Sequence, residues 1–270
     1  MAFAVVKDIG ALLEIQHATW AQAAASFGTT MHPLAQYARL VRRDYGEAEG
    51  VIAADGWRYS PPDEGCLDRT SLTVVATVLS RHSTTPETGI AAIWDGWDGL
   101  SSAGRVFDFE PEPDGERQAS SIDEAPGRSA GSALRGRLAE TVGQVINAVQ
   151  GTVRQLRGRA RSDSGPRFAL HAATGRDYVM FEAGAQDFAD TRWPARAPWV
   201  GDVTRAQSPS ILWPEDRAWV LATDIDFDST LIAGTAALVE ELIQTPGLEV
   251  LAVRPDADLT SDGDLLNRPG

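Results

Sequence analysis

A single cysteine, Cys66, stands in a chain of 270 residues. It excludes an intramolecular disulfide and a cysteine zinc site within one chain, and it fits a reducing compartment, so a cytoplasmic protein is expected. Lysine is equally scarce. Lys7 is the only one, which makes 23 of the 24 basic residues arginine. Gly-Lys never occurs, and with it goes any phosphate-binding P-loop. Basic residues are themselves outnumbered by 38 acids, for a net charge of −14. A polyanion needs a basic face to bind, so neither nucleic acid nor a membrane is expected as a partner. Long apolar runs are missing too, none approaching the roughly 18 residues of a membrane span. Met1 to Leu13 sets Lys7 and Asp8 in a short mixed stretch where a secretory leader would carry a continuous apolar core. The four histidines, His17, His32, His82 and His171, include no pair at the i, i+4 spacing of a zinc-binding H-E-x-x-H helix.

What is present is globular material. An apolar fraction of 43% and a charged fraction of 23% exclude a wholly disordered, collagen-like or coiled-coil chain. Residues 110–133 are rich in Pro, Gly, Ser and Glu with Ile122 as the only large aliphatic, and read as a flexible arm. Behind them Leu134, Leu138, Val142, Val149 and Val153 recur at helical spacing, with six arginines against Glu140 between 134 and 161. The pair reads as an insertion, a disordered arm and an amphipathic helix, protruding from one domain that spans 1–270. The helix offers a contact for a homodimer.

Elsewhere helices are expected over 11–26, from Thr30 with Pro33 in its first turn, over 71–81, and from Ser229 or Thr230 to about Gln244. Strands are expected near 90–95, 168–172, 177–182, 218–224 and 248–253, the second and third forming a hairpin. Residues 190–214 read as a Trp- and Pro-rich loop, and the acidic tail from Pro255 as loose. The fold class implied is α+β: a single mixed or antiparallel sheet covered by helices.

Candidate sites are few. Asp226-Phe227-Asp228-Ser229-Thr230 after the apolar Trp219-Val220-Leu221-Ala222 resembles the first motif of the HAD phosphatases. Only 40 residues follow Thr230, none of them lysine, so the rest of that machinery has no place. Asp224, Asp226 and Asp228 alternate, and on a strand they would share a face that could take Mg or Ca; an EF-hand is excluded by Ser229 and Thr235. Asp95 and Glu182 from neighbouring strand ends could add to that set. Gly127-Arg128-Ser129-Ala130-Gly131 spells G-x-S-x-G, but no buried strand precedes it to strain a nucleophile elbow. His82 at a helix end suits the dipole. Trp94, Asp95, Trp97, Trp199, Trp213 and Arg217 mix aromatic and polar groups on loops, as small-ligand and partner surfaces do.

One longer pattern stands out. His82-Ser83-Thr84-Thr85-Pro86, Trp94-Asp95-Gly96-Trp97 and the stretch from Gln207-Ser208-Pro209 through Trp213-Pro214-Glu215-Asp216-Arg217-Ala218-Trp219 to Ile225-Asp226-Phe227-Asp228-Ser229-Thr230 stand together. They resemble a family of high-GC, actinobacterial-type bacterial proteins for which no activity is established, and the resemblance implies no catalytic residue. With no complete catalytic set, the expected function is a non-enzymatic binding or protein-interaction module without a cofactor, inhibitor- or immunity-like by analogy. Its partner would be a protein or a small molecule. The alternative is a divalent-metal-dependent hydrolase using Asp224, Asp226 and Asp228.

Overall fold

The computed structural model describes residues 2–8, 13–42, 50–97, 100, 167–171, 176–260 and 262–268. The arm 110–133, the helix 134–161 with its homodimer contact, and the G-x-S-x-G stretch lie outside them. The described chain is α+β and its strand pairs are all antiparallel. They are divided over two sheets rather than gathered in one.

The first sheet arises where a helix was expected. Strands β1 (Ala2–Asp8) and β2 (Leu13–Thr19) pair from Ala2↔Thr19 to Asp8↔Leu13, and β3 (Val51–Ile52) and β4 (Arg58–Tyr59) complete the order β2-β1-β4-β3. Helix α1 (Trp20–Phe27) therefore starts nine residues later than the Ala- and Leu-rich composition implies. A capping box sets that start. Thr19 Oγ1 accepts from the Gln22 N–H at 3.1 Å while the Thr19 N–H donates to Gln22 Oε1 at 2.7 Å. Gly28, in the left-handed region at φ 64°, ends it. The helix expected from Thr30 shortens to α2 (Tyr37–Leu40). Trp20, Tyr37, Leu40, Val41 and Tyr59 form the core of this layer, Trp20 and Tyr37 meeting with ring centroids 5.5 Å apart.

The second sheet has six strands: β5 (Gly89–Trp94), β6 (Arg167–His171), β7 (Arg176–Glu182), β8 (Ile211–Pro214), β9 (Val220–Ala222) and β10 (Leu231–Ala233), in the order β10-β9-β8-β5-β7-β6. The β6–β7 hairpin matches the sequence reading. Strand β8 does not; it emerges from the Trp- and Pro-rich loop and is held on one side by β5 and on the other by β9. Strand β10 replaces the start of the last expected helix, so α5 (Ala236–Gln244) begins under the Thr235 cap instead of at Ser229 or Thr230. Residues 248–253 form no strand ladder. Glu249 is drawn instead to the start of α1, where its carboxylate accepts from the backbone N–H groups of Trp20 at 2.7 Å and Ala21 at 2.9 Å.

Helix α3 (Arg69–Arg81), capped by Asp68, presents Leu72, Val75, Ala76 and Leu79 at helical spacing to one face of this sheet. It packs on α4 (Ala185–Phe188) and α5, and the interior there includes Ile93, Leu212, Leu221, Trp193 and Trp199. The opposite face buries Tyr178, Met180, Ile211, Trp213 and Val220. The tail is not loose. Thr260 and Asp264 are buried against the first layer, Asp264 completely.

Candidate functional site

The aromatic and polar residues singled out from the sequence do not converge. Trp199 is buried on the helix side, against Phe181 at 5.0 Å and near Trp193 and Phe188, and its Nε1–H donates to the Gln207 carbonyl at 3.0 Å. Trp213 is buried on the opposite face, with half-buried Trp94 packed beside its cluster. Trp97 is half-buried in the turn after β5, and Asp95 is ion-paired with Arg167. Arg217 is exposed in the β8–β9 turn at φ 58°. That turn follows Pro214, which pairs with Gly89 at the opposite end of β5 from Asp95. The six residues therefore lie on two faces and two ends of one sheet.

The acidic alternation is placed differently from its expectation as well. Asp224, Asp226 and Asp228 occupy the loop of the β9–β10 hairpin rather than a strand, so the pleat does not align them. The loop is closed by Thr223 Oγ1 against Thr230 Oγ1 at 2.9 Å, and the Asp226 N–H donates to Asp224 Oδ1 at 3.1 Å. Glu182 pairs with Ile90 and Asp95 follows Trp94, which leaves those two about five residues, roughly 16 Å, apart along the strand. Among the described residues no group of three or more His, Cys, Asp or Glu side chains is gathered to hold a metal ion. The phosphatase-like context also changes, because strand, loop and strand replace strand, turn and helix.

The 82–86 stretch interlocks with the β8–β9 turn. Asp216 Oδ2 accepts from the Thr84 N–H, from Thr84 Oγ1 at 2.8 Å and from Ser83 Oγ at 3.1 Å, while the Asp216 N–H donates to Thr85 Oγ1 at 3.0 Å. His82 Nε2 meets Glu241 Oε2 of α5 at 2.6 Å, and Arg81 Nε donates to the same carboxylate at 3.0 Å. His82 thus joins two helices. Ser208 Oγ accepts the Leu67 N–H and Gln207 Nε2 donates to the Gly65 carbonyl. Gly184 is required at the same clasp, because a Cβ there would stand 2.3 Å from the Pro86 carbonyl oxygen. These bonds form a buckle between the end of α3 and the β8–β9 turn. Partial burial pushes the Asp216 carboxyl up, but hydrogen bonds from Thr84, Ala218 and Ser83 outweigh that and hold it below the ordinary carboxylate value. Its contribution is therefore complete above the unfolded value of about 3.9 and is lost as pH falls through the lower folded value. Asp216→Ala is expected to cost about 1 kcal/mol in urea unfolding at pH 7. The gap to wild type should narrow at pH 3; an unchanged gap would refute this account.

A cavity of about 240 Å³ lies where the two layers meet. Its walls come from Trp20 of α1, the 31–36 segment, Val75 of α3, β10, Leu242 of α5 and residues 248–253. No lysine or arginine is among the described residues lining it. The polar groups of the wall are mostly occupied. Glu249 caps α1. The Leu34 N–H donates to His32 Nδ1 at 3.3 Å, which leaves Nε2 to donate to Asp264 Oδ1 at 2.7 Å. Gln36 Nε2 donates to the Leu259 carbonyl at 3.1 Å. Asp264 gathers His32, the Gln36 N–H and Asn267, and Arg39 Nη1 reaches its carbonyl at 2.6 Å. One group differs. Trp20 is 5% exposed and its Nε1–H is buried with no acceptor. Trp193 and Trp213 share that condition but do not line the cavity.

Neither Trp20 nor Asp264 was singled out from sequence. The local signals near them were Thr19-x-x-Gln22 and Asp264-x-x-Asn267, while Glu249, His32, Gln36 and Arg39 meet them across 225 to 232 residues. The lone thiol is elsewhere: burial pushes Cys66 up, away from a reactive thiolate. No helix among the described residues is long and apolar enough to cross a membrane. Comparison with known proteins returns no matching family model, no matching curated protein and no matching solved structure.

Proposed function

We propose that this chain is a non-catalytic binding module whose small-molecule ligand occupies the cavity between the two layers. The observation that carries the reading is the cavity itself, about 240 Å³ with a mainly apolar wall, a space large enough for a small molecule. The polar groups of the wall support binding over catalysis. Both ring nitrogens of His32 are engaged, and Glu249 is committed to the helix start. These groups hold the wall in shape.

The test is a titration of the full chain with p-xylene and naphthalene, followed in ¹H–¹³C spectra at the methyl groups of Val75, Val239 and Leu242, which line the cavity. Saturable shifts at these methyls are expected, and their loss in Val239→Phe, which fills the space. Titration that leaves the three methyls unmoved, or binding that survives Val239→Phe, would overturn the proposal.

A further inference from the structure

The face of the six-stranded sheet turned away from α3, α4 and α5 is buried without a layer of described residues over it. Ala92, Tyr178, Met180, Ile211, Trp213 and Val220 form its cluster, each 7% exposed or less. All six stand on strands of that one sheet. Side chains on a single face shield one another only in part, and burial this deep needs a second layer. The described candidates are used elsewhere. Helices α1 and α2 build the core of the first layer, while α3, α4, α5 and the 193–206 loop build the interior on the helix side. The first layer itself meets the sheet on the helix side, along the cavity walled by Val75 and Leu242. The tail closes on that first layer through Asp264.

Connectivity names the occupant. Outside the described residues only the run 101–166 is longer than seven residues. It joins β5 to β6. Both strands are antiparallel to β7, which lies between them. They therefore run in the same direction, and the connection has to travel back along the sheet before β6 begins. Leu100 still packs on the helix side, so the run rounds the end of β5 to reach the other face. In sequence, Leu134, Leu138, Val142, Ile146, Val149 and Val153 recur at helical spacing, with Arg137, Glu140, Gln144 and Asn147 on the opposite side of the wheel. A helix over 134–153 would be about 30 Å long, against roughly 24 Å across the strands of the sheet.

We propose that segment 134–153 is the layer over this face, laid as a helix on Tyr178, Met180, Ile211 and Trp213 with its apolar stripe. The stripe then serves within one chain, and the homodimer contact expected of it has no surface left.

Met180 reports on the contact, since Met1 and Met31 are the only other methionines. In the full chain with ¹³C-labelled methyl groups, nuclear Overhauser contacts are expected from the Met180 ε-methyl to methyls of Leu138, Val142 or Ile146. They are expected to be absent between chains in a sample mixing labelled and unlabelled protein. The Met180 methyl should also be shielded from a soluble nitroxide. Replacing 134–153 by a glycine–serine linker of the same length should raise its broadening at least threefold. If the linker variant fails to fold, the methyl contacts still decide. Contact of Met180 with none of these methyls, contact seen only between chains, or equal shielding in a folded linker variant would overturn the proposal.

Discussion

Asp264→Ala is expected to lower stability by about 3 kcal/mol and the melting temperature by roughly 6–12 °C. The carboxylate is wholly buried and accepts from the Gln36 N–H, the Asn267 N–H and Nδ2, and His32 Nε2. Alanine leaves those donors without a partner in a place water does not reach, and that penalty exceeds the worth of the bonds in wild type. The pH dependence has a definite sign. Burial pushes the Asp264 carboxyl up, yet the bonds from Asn267, Gln36 and His32 prevail and hold it below the ordinary value. The stabilisation is present above about pH 3.9 and disappears as pH falls through the lower folded value. Urea unfolding from pH 7 to pH 2 should show wild type losing stability below about pH 4 more steeply than Asp264→Ala. Parallel curves would contradict the role given to this residue. Because Asp264 holds His32 and, through Gln36, the chain at Leu259, the variant should also lose the methyl shifts that report ligand in the cavity.

Leu212→Ala is expected to cost about 2–5 kcal/mol. Leu212 is fully buried on β8, which is paired on both sides, so the backbone has little freedom to close the space left behind. Its neighbours Ile211 and Trp213 point to the opposite face, and the loss falls on the interior beneath α3, α4 and α5. Chemical denaturation measures it. A cost below about 1 kcal/mol would mean that this interior is loosely packed there.

Legibility followed the range of the interactions. Helix α3 was readable because Leu72, Val75 and Leu79 repeat at its period and Asp68 caps it locally. The β6–β7 hairpin was readable because its strands are neighbours in sequence. Strands β8 and β10 were not: each is short, and each is defined by ladders whose partners only the folded chain supplies. The 11–19 stretch misled because Ala and Leu favour helix locally, while pairing with β1 favours strand. Residues 248–253 misled in the opposite sense, since a β-rich composition says nothing of a glutamate claimed by a helix start. The cavity belongs to that non-local class. Its wall includes a tryptophan, a histidine and a glutamate whose meeting no spacing announces. The 82–86 and 214–218 stretches stood out in sequence, and what they build is the buckle at Asp216.

The long span between Trp20 and Glu249 also sets a timetable for synthesis. The two residues are separated by 229 positions, and a ribosome adding about 5–20 residues per second needs roughly 10–45 s to deliver the second after the first. Throughout that interval the start of α1 lacks its carboxylate cap and the Trp20 side of the cavity has no opposite wall. The nascent chain therefore emerges with this apolar face open, and the cavity is among the last parts of the molecule to come into existence.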